Sequence, residues 1–147
     1  MIMEILKPEQ IDKIEEFLKN TKENSPLVII GQNDFKRNDL LNKICTKFDW
    51  QIINSLDLIA DIIGSLQGNN TVKLRKELIS RPSLVINDLD LFKGKETLQW
   101  YLEKMILRCR NPVILVMESY EGFSYDIRAI ITDSTVIYME ENRVHKP

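Results

Sequence analysis

Two short segments put chemistry-bearing residues at the ends of apolar runs. The first is Leu27-Val28-Ile29-Ile30-Gly31, continued by Gln32-Asn33-Asp34-Phe35-Lys36-Arg37-Asn38. A phosphate-binding loop in such a place reads G-x-x-x-x-G-K-[ST]. Its glycines let backbone N–H groups wrap the phosphates, its lysine reaches the outer phosphates and its hydroxyl holds magnesium. Here Gly31 is kept, but Lys36 replaces the second glycine, Arg37 the lysine and Asn38 the hydroxyl residue. Lysine resists the left-handed backbone that glycine allows. Arginine keeps the charge without the compact point geometry of an ammonium, and asparagine is a poorer magnesium ligand than serine or threonine. Lys36 and Arg37 still suit an anion at a helix N-terminus; the plainer reading is two solvated basic side chains on a loop. The second segment is Leu84-Val85-Ile86, which leads into Asn87-Asp88. In phosphoryl-transfer enzymes an acid here holds magnesium and a neighbour orients the attacking water. Asn87 lacks the charge for the first task. Asp88 keeps the second acid, or simply caps the next turn.

Other reactive types offer less. The lone histidine, His145, stands in the last three residues of the chain, whereas histidine–metal and Ser-His or Cys-His chemistry needs a rigid site. Cys109 lies between Arg108 and Arg110, which would favour its thiolate, but its place on an apolar helical stripe marks a core cysteine. With Cys45 it makes two cysteines, too few for a disulfide framework, so a reducing, cytoplasmic setting is expected. Trp100 and Leu107 are seven residues apart, about two helical turns, and lie off the stripe of Leu98, Tyr101, Leu102, Met105 and Cys109. Exposed, they would make a partner-binding patch; burial under a neighbouring helix is the plainer reading. Lys73, Arg75, Lys76 and Arg81 form a small basic cluster diluted by Glu77, expected to be a solvated face.

The elements that must position these residues follow from periodicity. Ile11, Ile14, Phe17 and Leu18 recur at helical spacing, so residues 8–20 are expected to form an amphipathic helix, with Pro8 in its first turn. Helices are expected at 38–48, 58–66, 71–79 and 95–110, and strands at 27–31, 50–54, 84–86, 113–117 and 135–139. Wholly apolar strands alternating with helices imply a parallel sheet covered on both faces. Ligands in such sheets sit at the carboxyl ends of the strands. The 147 residues fit one domain, residues 1–147. A net charge of −2 argues against a protein held to nucleic acid by bulk charge and leaves open a local basic patch. No apolar run approaches the roughly 20 residues of a membrane span.

The run from Leu84 to Glu96, with Asn87-Asp88, an apolar stretch and Gly94-Lys95-Glu96, resembles the Walker B segment of the replication initiator DnaA and its relative Hda. Residues 25–31 resemble the strand before their nucleotide loop. Asp39-Leu40-Leu41 resembles the start of the following helix, and Asp126-Ile127-Arg128 the beginning of their Box VII helix. The resemblance runs from about residue 8 to 141. It implies a three-layer αβα domain with a five-stranded, mostly parallel sheet, as in the base of an AAA+ P-loop NTPase, with the helical lid and the DNA-reading helix-turn-helix absent.

The departures from that pattern carry the functional expectation. Ile130 falls where the family places its arginine finger, and Met117-Glu118-Ser119 offers only Glu118 or Ser119 as a sensor at the strand end. Each lost group acts on transition-state charge and each is worth orders of magnitude in rate. The resemblance therefore implies a non-catalytic module beside the replication machinery, with an initiator, helicase or clamp as partner, DNA as a further one, and no required cofactor. Trp100, Leu107 and Arg128 are its candidate partner contacts. A divergent NTPase is the alternative, holding ATP or ADP with magnesium through Gly31, Lys36, Arg37, Asn38, Asn87 and Asp88. A DNA-binding accessory protein is another.

Overall fold

The structure, a computed structural model, describes residues 2–5, 14 and 26–139. In chain order its elements are β1 (Ile2–Ile5), β2 (Leu27–Ile30), α1 (Phe35–Phe48), β3 (Ile52–Asn54), α2 (Ser55–Gln67), α3 (Thr71–Ile79), β4 (Leu84–Asn87), a 3-10 turn (Leu89–Phe92), α4 (Glu96–Arg108), β5 (Val113–Met117), α5 (Tyr125–Thr132) and β6 (Thr135–Met139). The strands form one sheet in the order β1-β6-β2-β5-β4-β3. Every adjacent pair is parallel. The five expected strands are all present, and β1 adds a sixth at the edge beside β6. Without β1 the order is that of a P-loop core, with the first strand between the last and the fourth.

The apolar runs are explained by burial on both faces. Along β2, Val28 and Ile30 pack with Leu58, Ile62, Leu102, Met105 and Ile127, from α2, α4 and α5. Leu27 and Ile29 point the other way and pack with Leu40, Leu41 and Ile44 of α1. Alternation sends successive side chains to opposite faces, so a strand covered twice must be apolar throughout. Ile14, from the helix expected at residues 8–20, is helical and buried on the α1 side; the rest of that segment lies outside the described residues.

Boundaries shift where a cap intervenes. The helix expected from residue 38 starts at Phe35, because Asp34 is extended and its side chain accepts from the Arg37 N–H. The helix expected from 58 starts at Ser55, capped by Asn54, whose side chain accepts from the Leu56 N–H at 2.8 Å. Strand β3 is shorter than expected. Asp49 ends α1 in the left-handed region (φ 58°), and Trp50 folds back to stack on Phe48 with ring centroids 4.4 Å apart.

Candidate functional site

Because the strands are parallel, the turns after β2, β3, β4 and β5 gather along one edge of the sheet. Gly31 leaves β2 with its N–H on the Met117 carbonyl at 3.0 Å. A Cβ at Gly31 would stand 2.6 Å from the Cβ of Met139, so close packing of β2 against β6 explains this glycine without any phosphate. No residue from 31 to 38 has a positive φ. A backbone nest that wraps an anion needs alternating right- and left-handed residues, and this loop has none.

The loop instead turns one charge, that of Arg37, inward. Solvation, the plainer expectation for Lys36 and Arg37, holds for Lys36, which is exposed. It fails for Arg37, whose side chain is 0% exposed. Placed on the first turn of α1, Arg37 reaches beneath the end of β4. Its Nη2 donates to Asp88 Oδ1 at 2.7 Å and to Asn87 Oδ1 at 3.4 Å, while Nη1 donates to the Gly31 carbonyl at 3.1 Å. A fork of planar donors can meet a carboxylate and a carbonyl at once, which a lysine ammonium on one stem cannot. Asp88 is held for this contact by a left-handed backbone (φ 56°) at the end of β4. Its side chain makes no capping bond to the 3-10 turn, so the capping role is replaced by an ion pair spanning 51 positions of sequence.

A second carboxylate, exposed on the loop, caps the helix. The Asp34 carboxylate accepts from the Arg37 N–H at 3.0 Å and so occupies the positive N-terminus of α1, where a phosphate would otherwise bind. Asn38 donates from its amide to Asn33 Oδ1 at 3.3 Å. Of the positions taken as a nucleotide site, Gly31, Arg37, Asn87 and Asp88 therefore converge, while Lys36 faces solvent and Asn38 bonds within the loop.

The remaining candidates are placed as follows. Ile130 packs against the core. Ser119 Oγ accepts from the Glu121 N–H at 3.0 Å, and Glu118 is exposed while its N–H donates to Asp90 Oδ2 at 2.9 Å. Trp100 and Leu107, for which burial was the plainer expectation, are about half exposed on α4, and Lys104 Nζ lies 5.0 Å over the Trp100 ring. Arg128 is exposed on α5. Cys45 and Cys109 are buried free thiols. Desolvation pushes Cys45 up to about 11, and burial raises Cys109 too, partly offset by its bond to the Asn111 carbonyl. The flanking arginines do not make Cys109 reactive. Lys73 borders an open depression together with Asp61 and Glu77, a mixed-charge face. Among the described residues there is no cluster of three metal-ligating side chains, and no helix is long and apolar enough to cross a membrane. His145 lies outside the described residues.

Several supporting residues escaped the sequence reading. Gln99, buried in α4, donates to the Phe92 carbonyl at 2.8 Å and accepts from the Ser124 N–H at 2.7 Å, so it ties the turn after β4 to the start of α5. Ser55 Oγ donates to the Asn87 carbonyl at 2.7 Å. Asp90 joins the turns after β4 and β5 through Glu118 and pairs with Lys93 at 2.8 Å. Asp34 carried a readable signal, an acid shortly before a helix. Gln99 carried only its oddity, an amide beside an apolar stripe.

No protein-family model matches the sequence, and no curated protein matches it. Solved structures do. Domain III of the replication initiation protein DnaA from Thermotoga maritima superposes with a TM-score of 0.75 at 17% identity, covering 92% of this chain and 64% of that one. AMPPCP-bound DnaA from Aquifex aeolicus gives a TM-score of 0.72 at 17% identity, covering 90% of this chain and 44% of that one. The DnaC helicase loader is more distant, with a TM-score of 0.52 at 17% identity over 87% of this chain and 86% of that one. The chain thus spans less than half the length of the AMPPCP-bound DnaA. Sheet order and these superpositions agree that the chain has the fold of the α/β base of an AAA+ P-loop domain, as in DnaA.

Proposed function

We propose that this chain is a catalytically inactive AAA+-like module that works by protein interaction beside the replication machinery, docking on an initiator, helicase or clamp component. One observation carries the inactivity. The Arg37–Asp88 pair at 2.7 Å joins the loop cation to the strand-end acid, the two groups that a working site would turn toward the nucleotide. Phosphoryl transfer needs free cations and a held magnesium at the developing charge. Here the cation is neutralised, the acid is engaged and the helix N-terminus is capped by Asp34. Ile130 supplies packing where an arginine finger would supply charge. The replication setting rests on the shared fold, whose solved examples include initiators and a helicase loader. Trp100 and Leu107 on α4, with Arg128 on α5, are the proposed contacts.

The test is calorimetry of the purified chain with ATP and ADP, with and without magnesium, beside steady-state turnover. The reading expects no binding heat and no hydrolysis. Magnesium-dependent hydrolysis abolished by Asp88→Asn would overturn it in favour of a divergent NTPase. One DnaA structure holds AMPPCP and single-stranded DNA, so a DNA titration belongs beside the nucleotide one. Salt-dependent DNA binding by this chain would favour the DNA-binding accessory reading.

A further inference from the structure

The carboxyl edge of the sheet carries the most exposed large apolar side chains in the described residues. Phe35 is 80% exposed and Tyr125 76%, and Leu56, Leu91 and Tyr120 are exposed as well. They come from the turns after four neighbouring strands, β2, β5, β4 and β3. All five therefore stand at the carboxyl edge of the sheet, Phe35 on the α1 side and the others on the side of α2, α4 and α5. At about 200 Å² for a fully exposed large side chain, the edge offers roughly 600 Å². That exceeds scattered surface residues and approaches the ~800 Å² that each partner contributes to a stable interface.

The same edge is acidic. Asp34, Asp57, Glu96, Glu118, Glu121 and Asp126 are all exposed there, against Lys36, Lys95 and Arg128. Arg37 with Asp88 and Lys93 with Asp90 cancel as pairs. The edge thus holds a surplus of acid larger than the whole chain's net charge of −2. It is also firmly built: Gln99, Ser55 and Asp90 lock its turns together. A preorganised surface loses little on binding.

We infer that this edge is the docking surface for a protein partner that presents an apolar knob ringed by lysine or arginine. The inference deepens the interaction reading above and rests on it. An acidic rim repels nucleotides and nucleic acid, and the aromatics supply the contacts that dominate interface energy. The basic partner is set by charge complementarity; like charge across the edge would oppose a second copy.

The test uses the full chain, labelled for amide NMR, with two synthetic helical peptides: one of leucine with lysine and arginine, and one with glutamate in place of the basic residues. The basic peptide should shift amides at 32–36, 56–57, 90–96 and 118–126, and the acidic peptide should not. Phe35→Ser with Tyr125→Ser should weaken binding at least about tenfold, in line with two aromatic contacts. Glu118→Lys with Glu121→Lys should weaken it similarly and flatten its salt dependence. Val72→Ser, on α3 and exposed as well, should leave it unchanged. These positions are exposed, so circular dichroism should show an intact fold. Absence of shifts at the edge, equal binding of the acidic peptide, a single-stranded DNA oligonucleotide shifting the same amides, or self-association lost on Phe35→Ser would each overturn the inference. Nucleotide turnover would sink the functional reading whatever the peptides do. Its absence together with a silent edge would sink this inference alone.

Discussion

Replacing Arg37 with Met keeps an apolar stem but removes the guanidinium. The structure then loses the bond to Asp88 at 2.7 Å and the bond to the Gly31 carbonyl at 3.1 Å. Removing one member of a fully buried ion pair costs about 3–5 kcal/mol, mostly because the other charge is stranded. Asp88 is 28% exposed and can be partly rehydrated, so about 2–3 kcal/mol is expected. With a urea slope near 2 kcal/mol per molar, the midpoint should fall by roughly 1–1.5 M. The sharper expectation concerns Asp88→Asn. In the native background it should cost about 2–3 kcal/mol, since the amide oxygen still accepts from Nη2 but the buried guanidinium loses its counter-charge. In the Arg37→Met background it should be neutral or stabilising, because it removes a charge left without a partner. The assay is urea unfolding of the four proteins of this cycle. An Arg37→Met change below about 0.5 kcal/mol, or strict additivity of the two substitutions, would refute the idea that this pair holds the loop to the sheet.

Gly31→Ala should destabilise the fold by about 1–3 kcal/mol through overpacking, since its Cβ would meet Met139 at 2.6 Å; a thermal melt unchanged from the native chain would contradict the packing role. Asp34→Ala should cost about 1 kcal/mol through loss of the α1 cap, while Asp34→Asn, which still caps, should be near neutral; urea midpoints of the two variants compare them. Cys45 should resist alkylation in the folded chain. Burial raises its pKa to about 11, so above pH 9 the unfolded chain loses the thiol proton first. Stability should then fall as pH rises toward 11, by at most about 1.4 kcal/mol per unit, a loss that Cys45→Ala should remove from the slope.

The fold was readable because it depends on local patterns. Burial on both faces forces runs such as Val113 to Met117 to be apolar, and α3 has the bounds its spacing predicts. The edge strand β1 was not readable, since Ile-Met-Glu-Ile is four residues with an acid inside and no turn signal beside it. α1 starts earlier than its apolar spacing predicts, and Asp34 lacks the glutamate three residues on that would complete a capping box. The site was legible as positions but not as contacts. Gly31, Arg37, Asn87 and Asp88 stood out by spacing from strand ends, yet nothing in a linear pattern reports that Arg37 crosses 51 positions to bind Asp88. Taken alone, an arginine beside a lysine reads as solvated. Only the close meeting of β2 and β4 across β5 buries it. Gln99 was hidden for the same reason: its two partners come from turns that the sheet brings together.

The most direct test of the central claim is a calorimetric titration of the native chain with ATP in the presence of magnesium. The account predicts no measurable heat, because Asp88 already holds the Arg37 guanidinium and Asp34 already caps the N-terminus of α1. Micromolar, magnesium-dependent binding that Arg37→Met abolishes would contradict it, showing that the pair opens for nucleotide and that the site is latent rather than closed.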